Sequence, residues 1–323
     1  MSSPLFLPLK PWMLARYGRE THRLSLDAGS TCPNRDGTRG FGGCTYCDVE
    51  GSGTGALKDG IDLRRQMEVG LARLARRADE GESVGVVAYF QSYSNTYVAP
   101  ERLRLVLESL EPWLPGGGRD EAAARVVCVA LATRPDTLPE WALDQLCELK
   151  QRTGVDVWLE LGLETASDEV QRRIHRLHTL EEFHSAVQRA HARGLLCVGH
   201  AILGLPGDGR EGARRTSEEL ARAGVAGVKV HHLMVLQRTV MAKQWKQGEL
   251  ETLDAPTYVE WLADFVERLH PEQVLHRLTG DAPAPSLLAP HWPVAKNEIR
   301  NLLQAELQRR GTRQGALWSA SPS

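Results

Sequence analysis

Short apolar runs alternate with longer segments of helical period along most of the chain. Six runs rich in valine and leucine lie at 23–27, 84–90, 126–132, 155–161, 195–203 and 228–235. Their apolar residues are nearly continuous rather than alternating with polar ones, which is typical of strands buried on both faces in a parallel sheet. The pattern therefore predicts six buried strands.

Helical periodicity separates these runs. It predicts helices at 61–79, 100–111, 139–151, 167–176, 180–193 and 211–223. Asp62, Ser167 and Thr179 stand where helix caps are expected, and Pro100 and Pro139 stand at first-turn positions. Strands that alternate with helices imply right-handed crossovers, so we expect an α/β fold whose parallel sheet is either open or curled toward a barrel.

The pattern differs at the two ends of the chain. The opening is amphipathic, and two helices are predicted at 257–269 and 295–310, separated by a proline-rich stretch at 280–293. This stretch indicates an extension packed on the core rather than a second domain. The expected division is an N-terminal segment at 1–20, a core at 21–255 and a C-terminal extension at 256–323.

Composition limits the class of protein. With 323 residues and 42% hydrophobic residues, the chain can bury a full core. The formal net charge of -2 excludes a globally basic nucleic-acid binder, although a local patch would not show in the total. There is no apolar run of about 18 residues, so we expect a cytoplasmic protein without a membrane span. Clustered cysteines in a reducing compartment indicate metal ligands or catalytic thiols.

Three of the six cysteines, Cys32, Cys44 and Cys47, form a C-x11-C-x2-C array in a glycine-rich loop. The loop directly follows the first predicted strand, and ligands bind at the carboxyl ends of such strands. Three thiols complete neither a tetrahedral zinc site nor a four-iron cubane. A histidine such as His22 could complete a zinc site, and a bound ligand could complete a cluster. The other cysteines lie singly in contexts typical of core residues: Cys128, Cys147 and Cys197.

The array and several further motifs resemble radical S-adenosylmethionine (radical SAM) enzymes, in particular the branch related to the catalytic subunit of Elongator and a family of short bacterial proteins. The similar stretches are LDAGSTCPNRDGTRGFGGCTYC, GSG at 51–53, YFQSYSNTY at 89–97, LELGLET at 159–165, HAILGLPGD at 200–208, VKVHHLMVLQRT at 228–239, HRLTGDAP at 276–283 and LLAPHWPVAK at 287–296. The resemblance implies a partial TIM-type (β/α)6 barrel, a 4Fe-4S cluster and bound S-adenosyl-L-methionine.

The resemblance also implies roles for individual residues. The three cysteines would bind the cluster, and Tyr46 would lie near the adenine of the cofactor. Further cofactor-binding candidates are Gln91, Ser92 and Asn95, in a stretch that lacks the GGE motif of many relatives, Glu164 and Arg176, and Ile202 and Gly204. The alternative for Glu164 and Arg176 is that they pair with each other or cap helices.

Lys229, His231 and His232 are polar residues inside the sixth apolar run. Period two places Lys229 and His231 on one face and His232 on the other. A buried lysine needs an anionic partner, and a substrate carboxylate would be one. We expect Lys229 and His231 to be catalytic, although strand histidines are often structural. Four later residues are expected outside the barrel proper, on the cofactor pocket, on an RNA-facing surface or in tail packing: Arg277, Asp281, Trp292 and Lys296.

The implied reaction is reductive cleavage of S-adenosylmethionine to a 5'-deoxyadenosyl radical, with flavodoxin or ferredoxin as the electron donor. Kinship with Elongator's catalytic subunit points to the wobble uridine in the anticodon loop of tRNA. The short bacterial family suggests conversion of 5-carboxymethylaminomethyluridine to 5-aminomethyluridine. The alternatives are a radical SAM oxidoreductase that acts on a small metabolite or a protein side chain, and a non-catalytic iron–sulfur or zinc module.

Overall fold

The computed structural model describes residues 4–48, 62–76, 83–118, 124–282 and 285–319. The GSG stretch at 51–53 and both ends of the helix predicted at 61–79 lie outside these ranges. The strands are β1 (Thr21–Leu26), β2 (Val84–Phe90), β3 (Ala124–Thr133), β4 (Asp156–Glu164), β5 (Leu196–Leu203), β6 (Gly227–His232), β7 (Val235–Leu236), β8 (Val274–Arg277) and β9 (Leu287–Ala289).

Seven of these strands form one curled parallel sheet in the order β1-β2-β3-β4-β5-β6-β8. Strands β7 and β9 form a separate antiparallel pair. The α/β fold and the six predicted strands are confirmed, and the sheet is a half barrel. The prediction missed the seventh strand of this sheet, β8. This strand has only four residues, VLHR, and two of them are polar. Strand β8 pairs with β6, so the sheet continues beyond residue 255.

Helices pack around the sheet. They are α1 (Leu9–Tyr17), α2 (Leu63–Ala75), α3 (Pro100–Glu108), α4 (Glu140–Thr153), α5 (Asp168–Arg173), α6 (Leu180–His191), α7 (Gly209–Arg222), α8 (Val240–Lys246), α9 (Ala255–Arg268) and α10 (Lys296–Arg310). The side chains of Asp62, Ser167 and Thr179 cap α2, α5 and α6. Helix α8, which is seven residues long, was not predicted. Within the described ranges, no helix has the length and apolar content needed to cross a bilayer.

Helix α1 closes the end of the half barrel at which the strands begin. Met13 is buried there, and the ring of Trp12 lies 5.9 Å from that of Trp158. Arg16 Nη2 and the Tyr17 hydroxyl donate hydrogen bonds of 2.8 Å to the carboxylate of Asp156, the first residue of β4. The interior is therefore filled at this end.

Asp264 on α9 connects three helices of the outer layer. Its side chain is only 5% exposed, and its carboxylate accepts hydrogen bonds from Arg214 Nε at 2.9 Å and Arg310 Nη1 at 2.7 Å. Arg210 donates to the same carboxylate through Nε and Nη2. One buried negative charge thus joins α7, α9 and α10.

Asp264→Asn is expected to lower the free energy of unfolding at pH 7 by about 2 kcal/mol, because three guanidinium groups lose the charge they share. Burial alone would raise the pKa of Asp264, but hydrogen bonds from Arg210, Arg310 and Arg214 hold it well below its ordinary value. The carboxylate therefore stabilises the fold at neutral pH, and this contribution decreases as the pH falls below about 4. Urea unfolding at pH 7 and pH 3 measures it. The exposed Glu251→Gln variant is the control, and equal stability of Asp264→Asn and wild type at pH 7 would contradict the assignment.

Candidate functional site

A cavity of about 300 Å³ lies at the carboxyl ends of the strands. Ten of the site residues predicted from the sequence line it: Cys32, Cys44, Tyr46, Cys47, Gln91, Glu164, Arg176, Ile202, Lys229 and His231. The parallel sheet explains this assembly, because the loops after successive parallel strands meet at one edge. Three predicted site residues, Ser92, Asn95 and Gly204, are not part of the lining.

The cysteine loop is fixed by the segment that follows α5. Thr45 N donates to Ile174 O at 3.0 Å, and Asn34 Nδ2 donates to His175 O at 2.6 Å. The ring of His175 lies within 3.0 Å of the carbonyl oxygen of Gly43 through Nδ1. Gly43 has φ +84°, a conformation that glycine adopts without strain. The loop therefore takes its shape from tertiary contacts as well as from its own glycines.

Polar side chains donate to two of the three thiols. Arg35 Nη2 lies 3.2 Å from Cys47 Sγ, and Asn34 Nδ2 lies 3.5 Å from Cys44 Sγ. All three cysteines are free thiols. Burial, and then the charge of Cys44, raise the pKa of the Cys47 thiol to about 11, so a metal would displace its proton on binding. Hydrogen bonds to ligand sulfurs are typical of iron–sulfur sites.

The described ranges contain no group of three His, Cys, Asp or Glu side chains that could hold one metal ion. A cubane cluster does not require such a group, because each thiolate binds a different iron atom. Three free thiols around one cavity, with hydrogen-bond donors at two sulfurs, therefore fit a cluster that leaves one iron open to another ligand.

Glu164 and Arg176 pair with each other beside the cysteine loop. Arg176 Nη2 lies 3.4 Å from Glu164 Oε1 and donates to Gly162 O at 3.1 Å. A Cβ at Gly162 would lie 2.3 Å from the ends of both side chains, so a larger residue here would displace the pair. Glu164 has φ +68°, and Arg176 Nε is buried without a hydrogen-bond partner among the described residues. Mutual pairing, the alternative left open by the sequence, is thus observed, and both side chains still face the cavity.

A charged layer lies deeper in the half barrel and consists of Arg23, Tyr89, Glu160, His200 and Lys229. Lys229 Nζ donates to Glu160 Oε2 and lies 3.3 Å from the Tyr89 hydroxyl. His200 Nε2 lies 3.1 Å from Glu160 Oε2, and Arg23 Nη2 lies 3.7 Å from Glu160 Oε1. The Glu160 side chain is fully buried, and that of Lys229 is 2% exposed. Five strands therefore contribute to one buried polar cluster.

Glu160 was missed by the sequence analysis, and it corrects the expectation for Lys229. The anionic partner of Lys229 is this carboxylate of the chain, not a carboxylate of the substrate. Burial alone would raise the pKa of Glu160, but the charges of Lys229 and Arg23 hold it well below its ordinary value. The available signal was an acidic residue in the middle of an apolar strand, because buried charges are rarely unpaired.

The two histidines of β6 have different surroundings. His231 lines the cavity, with its ring 6.0 Å from that of His200. His232 lies within 2.9 Å of Thr279 Oγ1 through Nδ1, and its ring centroid is 4.1 Å from that of Trp292. Burial lowers the pKa of both rings, for His232 to about 4. His232 and Trp292 therefore pack the wall, as the tail-packing alternative for Trp292 expects.

The expectation that Arg277 and Asp281 lie outside the barrel proper is wrong for Arg277. Arg277 is the last residue of β8, and both residues line the cavity. Strand β8, with four residues, is too short to show a periodic signal. Lys296, the last of that group, is the first residue of α10.

Asn95 lies beneath the cavity and connects the ends of β2 and β3. Its Nδ2 donates to Phe90 O at 3.0 Å and Ala132 O at 2.8 Å, and its Oδ1 accepts from Ser30 Oγ at 3.0 Å. Ser92 Oγ is buried without a hydrogen-bond partner among the described residues. The geometry assigns Asn95 a structural position.

Gly204 follows β5 with φ +91°, and a Cβ there would lie 3.2 Å from the side chain of Leu253. This backbone conformation favours glycine. The requirement for glycine at this turn is therefore conformational.

Asn95→Ala is expected to lower the free energy of unfolding of the protein without cofactors by about 3 kcal/mol, because several buried backbone carbonyls lose their donor. Denaturant unfolding of the apoprotein measures this. Asn301→Ala, at an exposed position on α10, is the control and should stay within about 0.5 kcal/mol of wild type. A stable Asn95→Ala apoprotein that binds S-adenosylmethionine poorly would instead favour the cofactor role expected from the sequence.

Comparison with known proteins places the chain in a family. The Radical SAM superfamily model matches residues 31–220, and the Radical_SAM C-terminal domain model matches residues 225–309. The uncharacterized protein YtqA of Bacillus subtilis (strain 168) is 36% identical over 299 residues, which cover 93% of this chain and 88% of YtqA. The tRNA uridine(34) acetyltransferase of Methanocaldococcus jannaschii is 24% identical over 196 residues, which cover 59% of this chain and 35% of that protein.

A solved structure agrees in fold. The archaeal Elp3 of Methanocaldococcus infernus, with an N-terminal deletion, aligns with a TM-score of 0.70 and 17% identity over 91% of this chain and 64% of that chain. The half barrel, its loop with three cysteines and the match over residues 31–220 lead to one assignment. The chain belongs to the radical SAM superfamily of enzymes, whose members use S-adenosylmethionine and an iron–sulfur cluster.

Proposed function

We propose that Cys32, Cys44 and Cys47 hold a 4Fe-4S cluster and that S-adenosylmethionine binds beside it in the cavity. The observation that carries this proposal is the arrangement of three free thiols on the wall of one cavity, two of them with donors at the sulfur. When bound, the cluster and S-adenosylmethionine supply a 5'-deoxyadenosyl radical that abstracts hydrogen from the substrate. The chain itself binds, orients and excludes water.

Two groups of residues suit the two ends of the cofactor. Arg176 Nε has no hydrogen-bond partner in the part of the chain that the structure describes, and an arginine in this place suits the methionine carboxylate, with Glu164 adjacent for the amino group or the ribose. Tyr46 and Ile202 pack against one apolar cluster on the cavity wall, which suits the adenine. The side chain of Gln91 also faces the cavity and is a further polar contact.

We propose that the substrate is the wobble uridine of tRNA and that the step converts its 5-carboxymethylaminomethyl group to 5-aminomethyl. Loss of one hydrogen atom and one further electron from the carboxymethyl carbon would give an imine, which water would hydrolyse to the amine and glyoxylate. S-adenosylmethionine, reduced to methionine and 5'-deoxyadenosine, would be the two-electron oxidant. Support comes from the relative named for tRNA uridine(34), although acetyl transfer remains an activity of that relative. A single-stranded anticodon base can be splayed out of its loop into a pocket. The charged layer around Glu160 lies inside the cavity, where a polar substituent would enter. Lys229 and His231 are the proposed catalytic residues, and flavodoxin or ferredoxin is the proposed reductant.

Cys44→Ala is expected to lose the cluster after anaerobic reconstitution, because two thiolates hold a cubane poorly. Iron and sulfide content and the visible absorption spectrum measure this. Cys147→Ala is the matched control, since Cys147 lies on α4 away from the cavity, and it should keep the wild-type iron content. A colourless wild-type protein that binds zinc, or equal iron in the two variants, would contradict the ligand assignment.

The tRNA step is tested by mass spectrometry of nucleosides from a strain in which this gene is deleted. 5-Carboxymethylaminomethyluridine should accumulate at the expense of 5-aminomethyluridine and its products. Complementation with the wild-type gene should restore the profile, and complementation with Cys44→Ala should not. An unchanged nucleoside profile in the deletion strain would reject the tRNA substrate while leaving the cluster assignment intact.

A further inference from the structure

Arg277 is a cation inside the cavity that no described group neutralises by contact. It ends β8, beside Lys229 of β6 in the strand register, and its side chain is half-buried on the cavity wall. Among the described residues, no hydrogen bond or ion pair involves its guanidinium group. This is unusual, because guanidinium groups removed from water are almost always paired.

The charges around Arg277 do not compensate for it. Lys229 and Arg277 line the cavity with Glu160, and the Glu160 carboxylate is already held by Lys229 and by Arg23 from β1. Asp281 lies on the same wall, but no hydrogen bond or ion pair joins it to Arg277, and it acts only at longer range. The deep part of the cavity therefore carries an excess of positive charge.

The neighbouring histidines do not change this balance. Burial lowers the pKa values of His200, His231 and His276, so these rings are neutral near pH 7. Burial, and then the positive charge of Arg23, also lower the pKa of Arg277 from its ordinary value. Burial and the charge of Arg23 outweigh the longer-range attraction of Glu160 and Asp281, so an incoming anion would be attracted to the guanidinium group.

The cofactor has a better-placed partner for its own carboxylate. Arg176 lies directly against the cysteine loop, where Asn34 Nδ2 donates to its carbonyl oxygen at 3.1 Å. Arg277 instead lies beside Lys229 in the strand register, with the charged layer deeper in the half barrel. The anion that would pair with Arg277 therefore belongs to the substrate.

We propose that Arg277 binds the carboxylate of the substrate's 5-carboxymethylaminomethyl group and so determines specificity for an acidic substituent. This inference rests on the proposed function. A guanidinium group can hold a carboxylate through two parallel hydrogen bonds, which fixes orientation as well as position. Arg277 would thus position the substituent for hydrogen abstraction and discriminate against uridines whose 5-substituent is uncharged.

The first test needs no activity. Arg277→Met should leave the melting temperature of the apoprotein unchanged or higher, because it removes an unpaired cation next to Arg23. Lys229→Met, a matched loss of charge from the same layer, should lower it clearly, because Glu160 then stays buried without its nearest partner. If Arg277→Met destabilises the protein as much as Lys229→Met, Arg277 is structural and the inference is wrong.

The second test measures discrimination. Calorimetry compares binding of the nucleoside 5-carboxymethylaminomethyluridine with that of its uncharged carboxamide analogue. The wild-type holoenzyme should prefer the carboxylate by about tenfold to a hundredfold, as expected for charge-assisted hydrogen bonds. Arg277→Met should lose this preference, and Arg277→Lys, which keeps a point charge, should keep part of it. An equal preference in wild type and Arg277→Met would overturn the inference.

Two further measurements separate the possible failures. Calorimetry of S-adenosylmethionine binding without tRNA should show a larger loss of affinity in Arg176→Met than in Arg277→Met; the reverse order would assign the anion to the cofactor and overturn the inference. The wild type should convert tRNA that carries 5-carboxymethylaminomethyluridine, and a failure here would reject the proposed function itself. Normal conversion with an unchanged KM in Arg277→Met would reject only the role of Arg277.

Discussion

The buried carboxylate of Glu160 is the constraint on which the interior depends. A carboxylate without contact to water is stable only if cations and donors surround it, and here Lys229, His200 and Arg23 do so. Each partner comes from a different strand, so the pairing fixes the side-chain register of β1, β4, β5 and β6 across the half barrel. A well-packed hydrophobic residue at position 160 would leave the folded state at least as stable, because buried ion pairs rarely add net stability. The retention of this pair fits a site in which polar chemistry must proceed without bulk water.

The interior is arranged in layers along the strands. Apolar side chains from α1 and β4, among them Met13 and Trp158, seal the end at which the strands begin. The charged layer lies above this seal and lines the cavity through Tyr89, Glu160, His200 and Lys229, and the cysteine loop lines the same cavity. This order matters for the chemistry of the family, because a reactive radical must form where water does not compete. The same order explains why one cavity contains both the thiols and the acidic and basic groups.

The sequence predicted the parts of this arrangement that are periodic or local. Buried strands in a parallel sheet are continuous apolar runs, and the caps at Ser167 and Thr179 require only neighbouring residues. Strand β8 was not predicted, because four residues that end in His276 and Arg277 carry no periodic signal. The position of Asn95 was not predictable for another reason: its partners Phe90 and Ala132 become neighbours only when β2 and β3 pair. Residues brought together by distant strands leave no local pattern, so motifs identified the cysteines but not the partner of Lys229.

The arginines around Asp264 and the cations around Arg277 differ in how their positive charges are balanced. Around Asp264, three guanidinium groups share a carboxylate of the chain, and the cluster joins three helices without needing anything from outside. Arg277 faces a cavity with no described partner, close to two other cations. Selection for stability alone would remove such a group, because an unpaired buried cation costs free energy in every molecule that lacks its ligand. An arrangement that is unfavourable in the empty protein becomes favourable when an anion enters, so the position of Arg277 is best explained by the substrate.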